Sequence, residues 1–470
     1  IALFIFNINS QPDPEGMNPK LRYDLSTAAG QMAYHFDQKV ARRAKAEPGP
    51  NQYDNPDLAM AMEVSDRSEV GQPYSYTGSY RFTALREALA SQPNQQRELL
   101  PWVERGPGNV GGRTRALLVH PDSSSVWLAG AVGGGIWKTE NAGLNWRSVS
   151  DDLPILSVTA LARCDSTPDI VYAGTGEGFY NSDAVIGDGL FKSLDGGETW
   201  QQILSTISQS NFKYVNRIIV SPSDPDLLVV ATNSGIQRSA DGGQTWTEVY
   251  DSGSRVQQII ANPQNFHTQF ATVNETGIIK SEDAGLSWFS SSNFSSGFKR
   301  IEMAMAPSDT SIVYAALTSF SSSLFGLFRS SDAGATWTNL GDSPNWLGSQ
   351  GWYDNTIVVS PYNANELIVG GLNLYRVTAG PSSMSANRLT NWYPGAGFPY
   401  VHADQHMLVT IALGGTSYAV VATNDGGVFY SSNNGNTWDD RINGYNVTQF
   451  YDADKHPVLN SFIGGTQDNG

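Results

Sequence analysis

One short phrase recurs along this chain of 470 residues, and its spacing constrains the fold more than any other sequence feature. Four clear copies are GLFKSLDGGETW (189–200), GIQRSADGGQTW (235–246), GIIKSEDAGLSW (277–288) and GLFRSSDAGATW (326–337). Two degraded copies are GIWKTENAGLNW (135–146) and GVFYSSNNGNTW (427–438). A repeat of this length is typical of modular folds in which neighbouring units bury one another.

The tryptophans that end the phrase give the number of units. The first five, from Trp146 to Trp337, are 42 to 54 residues apart, whereas Trp438 follows after 101 residues, which is two units. A degraded unit with LIVGGLNLYRVT (367–378) fills that gap and closes near Trp392. Seven units therefore extend from about Arg113 to Ile442.

Each unit contains the pattern of four short strands. An apolar run ending in a turn proline, such as RIIVSP, is followed by a second run such as LLVVAT. The strand of the repeated phrase comes next, and a fourth strand such as TWTEVY follows the tryptophan. Four-stranded units at this period predict the blades of an all-β propeller, which pack radially around an axis. The 47 glycines and the low charged fraction of 16% fit such a turn-rich fold.

The ends of the array suggest further strands. PWVERGPGN (101–109) resembles a fourth strand with no blade before it. NVTQFYDADKHP (446–457) and FIGGTQDNG (462–470) resemble the first two strands of an eighth blade. We therefore expect seven complete blades and the start of an eighth within a propeller domain over 101–470, which is incomplete at its C-terminal end.

The segment before the propeller has a different pattern. Residues 1–10 combine an apolar run with a small residue, Ser10, which suggests the remnant of a signal peptide and a secreted or cell-surface protein. Residues 11–100 are expected to be helical or irregular, because apolar residues at helical spacing predict one helix over 21–46. A second, short helix is expected near 82–90.

Charge and cysteine content exclude several classes of protein. With 45 acidic and 29 basic residues the net charge is −16, which argues against nucleic-acid binding. After the first ten residues the sequence contains no run of 18 apolar residues, so membrane insertion is not expected. The single cysteine, Cys164, excludes an internal disulfide and is expected to be buried. We expect a monomer without an organic cofactor.

The repeated phrase resembles the Asp-box of bacterial neuraminidase (BNR) repeats. Its acidic residue can accept hydrogen bonds from backbone N–H groups of its own turn, and its glycine can adopt positive φ. Its tryptophan is expected to pack between blades. Because six copies lie around one ring, we expect a structural role for Asp195, Asp241, Asp283, Asp332, Trp200, Trp246, Trp288 and Trp337.

Other stretches extend the resemblance. GPGNVGGRTRALLVHP, GTGEG, VHADQHML, NDGGVF and GGTQDNG look like secreted bacterial proteins of the sortilin and xyloglucanase-like repeat class, over about 101–470. Asp-boxes occur in sialidases, two-propeller xyloglucanases, the sortilin luminal domain and photosystem assembly factors. The resemblance implies a propeller and does not transfer one activity.

Propeller sites form where the inner strands begin, around the central funnel. Aligning those strands predicts a polar cup suited to a glycan or a peptide. Its ligand-binding candidates are Arg113, Arg217, Gln258, Arg300, Trp352, Tyr353, Asp354 and His406, with Tyr214, Phe398 and Tyr400 as aromatic neighbours. The alternative is that these polar residues only line a wet channel.

Two families of hydrolase suggest catalytic arrangements. Arg113, Arg217 and Arg300 could mimic the arginine triad of sialidases, although the F/Y-R-I-P motif of that family is absent. Xyloglucanases carry a catalytic aspartate where this chain has Val132, in AVGGGIWK. The carboxylates that could replace it are Glu177, Asp404 and Asp425.

The stretch HADQH is the densest chemical cluster. His402, Asp404 and His406 alternate and would share one face of a strand, where they could bind a divalent metal. Against that, three such ligands extend along about 13 Å of chain, so the strand must bend to bring them to one ion. Polar lining of the funnel is the alternative.

Three functions remain open at this stage. The leading hypothesis is a secreted recognition module that binds a glycan or peptide at the funnel. The rival is a polysaccharide-acting glycoside hydrolase, xyloglucanase-like or sialidase-like, which uses carboxylates of the same face. The third is a structural or assembly protein of the cell surface.

Overall fold

A computed structural model describes residues 106–469 except 180–183, 252, 396 and 456–460, together with Ala84 and Glu87. The chain divides into two compact units, Ile1–Tyr76 and Thr77–Gly470, and the described residues belong to the second. Ala84 and Glu87 are helical, and they lie in the short helix predicted near 82–90. The expected signal remnant and the helix over 21–46 lie outside the described residues.

The described residues form seven antiparallel sheets of four strands each, which are the blades of a propeller. Blade one contains β1 (Thr114–His120), β2 (Ser123–Ala131), β3 (Gly135–Thr139) and β4 (Arg147–Ser148). Blade two contains β5 (Val158–Arg163), β6 (Val171–Thr175), β7 (Leu190–Ser193) and β8 (Gln201–Gln202). Blade three contains β9 (Val215–Val220), β10 (Leu228–Thr232), β11 (Gly235–Ser239) and β12 (Thr247–Asp251).

The other blades have the same strand order. Blade four contains β13 (Val256–Asn262), β14 (Asn265–Val273), β15 (Gly277–Ser281) and β16 (Phe289–Ser290). Blade five contains β17 (Phe298–Ala306), β18 (Asp309–Ser319), β19 (Leu324–Ser330) and β20 (Thr338–Gly341). Blade six contains β21 (Thr356–Val359), β22 (Glu366–Gly370), β23 (Leu374–Ala379) and β24 (Met384–Arg388). Blade seven contains β25 (Met407–Gly414), β26 (Ser417–Asn424), β27 (Gly427–Ser431) and β28 (Asp439–Asp440). Short 3-10 turns cover Leu204–Thr206 and Ser210–Phe212. The all-β, seven-bladed propeller predicted from the repeat is thereby confirmed.

The second strand of each blade explains why the apolar runs are continuous. All five residues of β6 and of β10 are buried, because each blade packs against a neighbour on both faces. Side chains from adjacent blades share one core, as Val229 and Ala231 of β10 do with Val256 and Ala271 of blade four. The fourth strands, such as β12, are mostly exposed. Cys164 is buried, as expected.

The ring closes by contact between its first and last blades. Leu117 and Trp127 of blade one share a core with Val421 and Val428 of blade seven. Blade seven takes its fourth strand, β28, from its own repeat. The outer strand expected over 101–109 is not formed by its described part, since residues 106–109 are irregular. Over the described residues the ring is therefore closed by packing between blades one and seven, and no strand from another repeat joins blade seven.

The two strands expected for an eighth blade are present as a hairpin, β29 (Phe450–Lys455) and β30 (Phe462–Thr466). Since blades one and seven pack directly against each other, this hairpin does not lie between them. A hydrogen bond from Gln467 N to Gln449 O (2.8 Å) extends it toward the residues that follow β30.

The repeated phrase builds a hydrogen-bonded turn. In blade two, Oδ1 of Asp195 accepts hydrogen bonds from Thr199 N (2.9 Å) and Ser193 Oγ (2.7 Å), and Oδ2 accepts one from Thr199 Oγ1 (2.6 Å). Gly197 has φ of 86°, which favours glycine. The carboxylates of Asp241, Asp283 and Asp332 accept the same kinds of bonds. The phrase therefore has the structural role expected of it.

The basic position of the phrase connects each of several blades to the next. Lys138 Nζ donates to Gly196 O (3.0 Å), and Arg238 Nε donates to Ala284 O (3.0 Å). Each acceptor belongs to the repeated turn of the following blade. The tryptophans add a second connection: Trp146 Nε1 donates to Arg441 O (2.7 Å), which lies in the preceding blade of the ring. Residues of the phrase therefore make contacts between blades as well as within one blade.

Among the described residues, no helix has the length and hydrophobicity of a membrane-spanning segment.

Candidate functional site

The seven inner strands, β1, β5, β9, β13, β17, β21 and β25, begin around the axis, and we call this end of the ring the funnel mouth. Glu177 projects here from the loop between β6 and β7, and it is wholly buried. Arg113 Nη1 donates to its Oε2 (2.7 Å) and Arg115 Nε donates to its Oε1 (2.5 Å). Glu177, a catalytic candidate from the sequence, is therefore a buried carboxylate that pairs with two arginines.

Phe179, two residues further along the same loop, fills the centre of the ring. The guanidinium groups of Arg115, Arg300 and Arg217 lie 4.3, 4.9 and 5.9 Å from its ring centroid. These arginines come from blades one, five and three, so a single buried ring holds three distant blades by cation–π contacts. The axis is packed with side chains at this level.

The three arginines proposed as a sialidase-like triad are used inside the protein. Arg300 donates to Tyr353 O (2.7 Å), Asn355 O (2.9 Å) and Glu302 Oε2 (3.1 Å). Arg217 contacts Glu302 Oε1 (3.4 Å), and Arg113 is paired with Glu177. Because Arg113 and Arg300 are 4% and 1% exposed, they do not form an accessible carboxylate-binding triad.

Most residues predicted to bind ligand are packing residues of the funnel. Gln258 is typical: its Nε2 donates to Glu302 Oε1 (2.9 Å), and its Oε1 accepts a hydrogen bond from Met303 N (2.5 Å). The structure does bring the eight predicted residues to the funnel, but six of them are buried: Arg113, Gln258, Arg300, Tyr353, Asp354 and His406. Arg217 and Trp352 keep partial exposure.

A buried chain of hydrogen bonds runs under the mouth. His406 Nε2 donates to Asp425 Oδ1 (2.6 Å), and Tyr353 Oη donates to Asp425 Oδ2 (2.7 Å). Arg115 Nη1 donates to His406 Nδ1 (3.2 Å), which requires a neutral imidazole that carries its proton on Nε2. Burial and the positive charge of Arg115 lower the pKa of His406 well below its usual value of 6.5. Asp425 is thus a fixed, buried carboxylate and not one exposed to substrate.

The residues of HADQH do not lie on a strand, contrary to the prediction. They precede β25, and Asp404 has φ of 64°, in the left-handed region. Both ring nitrogens of His406 are already bonded, and His402 Nε2 contacts Asp468 O (3.1 Å). Over the part of the chain that the structure describes, no group of three or more His, Cys, Asp or Glu is arranged to hold a metal. His402, Asp404 and His406 therefore do not make the expected metal centre.

Of the three catalytic candidates, Asp404 is the one that is partly exposed as a residue, whereas Glu177 and Asp425 are buried. Gln350 Nε2 donates to its Oδ1 (3.0 Å). Burial, followed by the negative charges of Asp425 and Asp468, raises the pKa of Asp404 from 3.8 to about 7. A carboxyl of this kind holds a proton near neutral pH and can donate it to a bound molecule.

A second carboxyl at this place, Asp468, was missed by the sequence analysis. It follows β30, has φ of 58° and accepts a hydrogen bond from Gln467 Nε2 (2.7 Å) at Oδ2. Partial burial of the carboxyl and the charge of Asp425 raise its pKa from 3.8 to about 6, although the residue as a whole is exposed. The stretch GGTQDNG, which contributes to the family resemblance and contains the second strand of the hairpin, holds this aspartate, but its sequence does not indicate a site residue.

Exposed aromatic rings precede Asp404 in the connection from β24 to β25. The side chains of Trp392, Tyr393, Phe398 and Tyr400 are between 41% and 51% exposed. The rings of Trp392 and Tyr393 lie edge to face, with centroids 5.1 Å apart. Exposed aromatic rings beside polar groups are suited to stacking on the apolar faces of sugars.

Comparison with known proteins supports the fold. No family model matches the chain. The crystal structure of the GH74 xyloglucanase from Xanthomonas campestris has a TM-score of 0.59 at 17% identity, over 76% of this chain and 59% of that one. An ancestral GH74 enzyme has a TM-score of 0.59 at 19% identity, over 78% of this chain and 54% of that one. The GH74 enzyme of Niastella koreensis has a TM-score of 0.57 at 18% identity, over 77% of this chain and 59% of that one. This chain shares the propeller fold of GH74 xyloglucanases.

A comparison of sequences also finds similarity to a xyloglucanase. A xyloglucanase from Paenibacillus sp is 25% identical over 272 residues, which is 56% of this chain and 24% of that protein. The chain thus spans about a quarter of its curated relative and little more than half of the similar solved structures. At these identities the similarity establishes the fold, and resemblance to the Asp-box and sortilin classes stays an expectation from the sequence.

Proposed function

We propose that this protein is a glycoside hydrolase that cleaves a polysaccharide at the funnel mouth, with Asp404 and Asp468 as its two carboxyl groups. The observation that carries the proposal is that Asp404 and Asp468 are two partly accessible carboxyls with raised pKa values, and that the negative charge of Asp468 contributes to the raised pKa of Asp404. The other acids predicted as catalytic, Glu177 and Asp425, are buried and bonded. The shared fold and the 25% identity to a xyloglucanase support the same reaction class.

The two pKa values assign different roles. Between pH 6 and 7, Asp468 (about 6) is mostly ionised, while Asp404 (about 7) is mostly protonated. Asp404 then protonates the glycosidic oxygen as the sugar–oxygen bond breaks, and the Asp468 carboxylate either attacks the anomeric carbon or activates a water. The charge of Asp468 contributes to raising the pKa of Asp404, so the two groups titrate as a pair.

The buried chain under the mouth supports this assignment. Asp425 is held by His406 and Tyr353, and its charge contributes to raising the pKa of both outer acids. Asp425 therefore acts at a distance, by keeping protons on groups that would otherwise be ionised at neutral pH.

The aromatic segment indicates how a polysaccharide would be held. Trp392, Tyr393, Phe398 and Tyr400 offer stacking surfaces a few residues before Asp404. Xyloglucan is the first substrate to test because a relative with that activity is similar in sequence. We also propose that the protein is a secreted or cell-surface monomer, in line with the sequence of residues 1–10.

The test is release of reducing ends from plant and bacterial polysaccharides and of free sialic acid from sialosides. D404N and D468N should each lower the rate by at least about 100-fold. The matched control is D309N, at an exposed aspartate that begins β18, which should retain full activity. Absence of release from every substrate would contradict the hydrolase, as would full activity of D404N.

The second candidate is the recognition module that the sequence favoured. The exposed aromatic segment favours it, because stacking binds a glycan without any acid. Its signature is retarded migration in gels that contain one polysaccharide, lost in W392A and retained in D404N, with no sugar released. No retardation and no release would leave a protein partner at the cell surface as the remaining function to pursue.

A further inference from the structure

We propose that His402 is a positioning residue, which holds the segment Gln467–Asn469 on blade seven and thereby keeps Asp468 at the funnel mouth. This segment follows β30, and we call it the tail. The role of Asp468 in the reaction rests on the proposed function, whereas the attachment of the tail does not. His402 acts on the reaction only through the place it gives to Asp468.

The hairpin that leads to the tail is largely open to solvent. Residues 450–454 of β29 and 462–465 of β30 are exposed. Gln467 and Asn469 of the tail, by contrast, are partly buried. The hydrogen bond from Gln467 N to Gln449 O (2.8 Å) keeps the tail beside the start of β29. Burial therefore increases where the chain leaves β30 and reaches blade seven.

Two side-chain hydrogen bonds join the tail to blade seven. His402, in the connection before β25, donates from Nε2 to Asp468 O (3.1 Å). Because a carbonyl oxygen only accepts, Nε2 carries a proton in this contact. Asn469 donates from Nδ2 to Asp425 O (3.0 Å), in the turn between β26 and β27. Neither bond uses the carboxyl of Asp468, so both fix the place of this residue while its acid group stays available.

A glycine gives the imidazole of His402 its place. A Cβ added at Gly426 would lie 2.4 Å from Cγ and 2.6 Å from Cδ2 of that ring. The backbone of Gly426 is not in the positive-φ region, so the missing side chain matters for space and not for backbone strain. The ring therefore packs directly on the turn that also accepts the bond from Asn469.

The attachment of the tail also determines the surroundings of the Asp468 carboxyl. Burial, followed by the negative charge of Asp425, raises the pKa of Asp468 from 3.8 to about 6. The charge of Asp468 contributes in turn to the raised pKa of Asp404. If the tail leaves blade seven, its carboxyl enters water and moves away from both acids, so the pKa of Asp468 should fall toward 3.8.

The test compares H402F with H402Q. Phenylalanine keeps a ring beside Gly426 but has no N–H group, whereas glutamine carries an amide N–H close to the place of Nε2. In H402F, hydrogen exchange of the Gln467 amide should be about 10-fold faster, as expected when one hydrogen bond that holds a segment is lost. H402Q should exchange like wild type. Mass spectrometry of peptides over 461–469 measures the rate, with peptides of β26 as the internal reference.

Two glycine variants test the same contact without removing a polar group. G426A displaces the imidazole, so exchange in the tail should rise as it does in H402F. G465A is the matched control, because a Cβ at Gly465 meets no atom within 4 Å, and it should exchange like wild type. A wild-type exchange rate of the Gln467 amide in G426A, or in folded H402F, overturns the proposal. If H402F does not fold, the two glycine variants decide.

Kinetics separate positioning from a general loss of structure. In H402F, kcat should fall by at least about 10-fold while KM stays within about twofold, because the carboxylate is displaced and the aromatic binding surface is intact. The acidic limb of kcat/KM should move from about pH 6 toward lower pH, since the pKa of Asp468 falls. H402Q should restore both. Faster exchange in H402F with an unchanged kcat would overturn the role of His402 in the reaction.

The exchange experiment is separable from the activity of the enzyme. If H402F and G426A release the tail but wild type cleaves no polysaccharide, the attachment by His402 stands and the proposed hydrolysis fails. If wild type releases sugar and H402F has the wild-type exchange and rate, the hydrolase stands and the positioning role of His402 fails.

Discussion

Arg238 of blade three donates a hydrogen bond from Nε to the main-chain oxygen of Ala284, in the repeated turn of blade four. This contact explains why a basic residue stands five positions before the glycine of the turn (Gly243 in blade three) in most copies of the phrase. A guanidinium or ammonium group on one blade satisfies a carbonyl group on the next. The repeat is therefore conserved within the chain by contacts that each unit makes with its neighbour.

The first prediction concerns this connection. Arg238→Met keeps much of the aliphatic stem but removes the donor, so the free energy of unfolding should fall by about 1–2 kcal/mol. Urea denaturation followed by tryptophan fluorescence measures the change. Lys280→Met is the matched control, because Lys280 occupies the same position in blade four but pairs with Glu282 of its own turn. An equal fall in the free energy of unfolding in both variants would show that the contact between blades does not stabilise the fold more than a contact within one turn does.

The second prediction concerns acid sensitivity of the repeated turn. Hydrogen bonds from Thr199 and Ser193 help to lower the pKa of Asp195 to about 2. Since the folded pKa lies below the usual 3.8, the stability it contributes is present above pH 4 and is lost as pH falls toward 2. Asp195→Asn should fold, and its free energy of unfolding should depend less on pH in that interval.

A copy of the phrase within the same chain already has asparagine at this position. Blade seven has Asn433 at this position, and its Oδ1 accepts hydrogen bonds from Thr437 N (2.9 Å) and Ser431 Oγ (3.0 Å). Denaturation of wild type and Asp195→Asn at a series of pH values from 2 to 7 makes the measurement. Identical pH dependence in the two proteins would contradict the assignment.

The third prediction concerns the aromatic ring at the axis. Phe179→Ala removes a buried ring and the cation–π contacts of three guanidinium groups, so the free energy of unfolding should fall by about 3–5 kcal/mol. Phe179→Leu, which fills part of the space, should lose less. Phe320→Ala is the control, because that ring is 56% exposed and lies under one cation, Lys299. If Phe179→Ala lowers the free energy of unfolding no more than Phe320→Ala does, the Phe179 ring does not stabilise the contact between the three blades.

The fourth prediction concerns His406. Its folded pKa lies well below 6.5, because burial and Arg115 disfavour the charged form. The unfolded chain therefore binds the extra proton first, and this residue costs stability as pH falls below 6.5, by up to about 1.4 kcal/mol per pH unit. The buried acids with raised pKa values contribute the opposite change, since they gain stability as pH falls. The contribution of His406 must therefore be measured by comparing a variant at this residue with wild type.

His406→Gln isolates that contribution. The variant is expected to be less stable than wild type at pH 7.5, and the difference should shrink toward pH 5. His267→Gln, at an exposed imidazole, should show no such trend. Proton NMR of the His406 ring gives a direct check: titration of its signal near pH 6.5 would contradict the neutral, buried imidazole.

The fifth prediction is the pH profile of sugar release. With an acid of pKa about 7 and a carboxylate of pKa about 6, kcat/KM should be bell-shaped and highest between pH 6 and 7. Removing the charge that raises both values, in Asp425→Asn, should move both limbs to lower pH. A profile that is flat from pH 4 to 9 would exclude these two groups as the acid and base.

The sequence predicted the scaffold because the scaffold is repeated. Each copy of the phrase supplies its own turn, and continuous apolar runs such as LLVVAT indicate strands buried on both faces. Local pattern is enough for such features, because every determinant lies within one unit or its immediate neighbour. Alignment of the inner strands also placed Arg300 and His406 correctly at the funnel.

The site itself occurs once, and local pattern describes it poorly. Whether Glu177 meets substrate or arginine depends on Arg113 and Arg115, more than 60 residues away in the sequence. HADQH alternates as a strand does, but it belongs to an irregular connection in which Asp404 adopts positive φ. Asp468 becomes a candidate only when the structure brings the residues after β30 to Asp425 and His402. Such facts arise from contacts between distant residues, which spacing along the chain does not contain.

The closure of the ring has a consequence for how the chain could be rearranged. Trp146 of blade one donates to Arg441 of blade seven, as Trp246 donates to Ser205 and Trp337 to Ser291 across the ordinary junctions. In the part of the chain that the structure describes, the junction between the first and last blades is thus built like any other, with no shared strand to mark it. The seven blades form a circle without a privileged origin, and a circularly permuted gene that opens it between two other blades should encode the same ring.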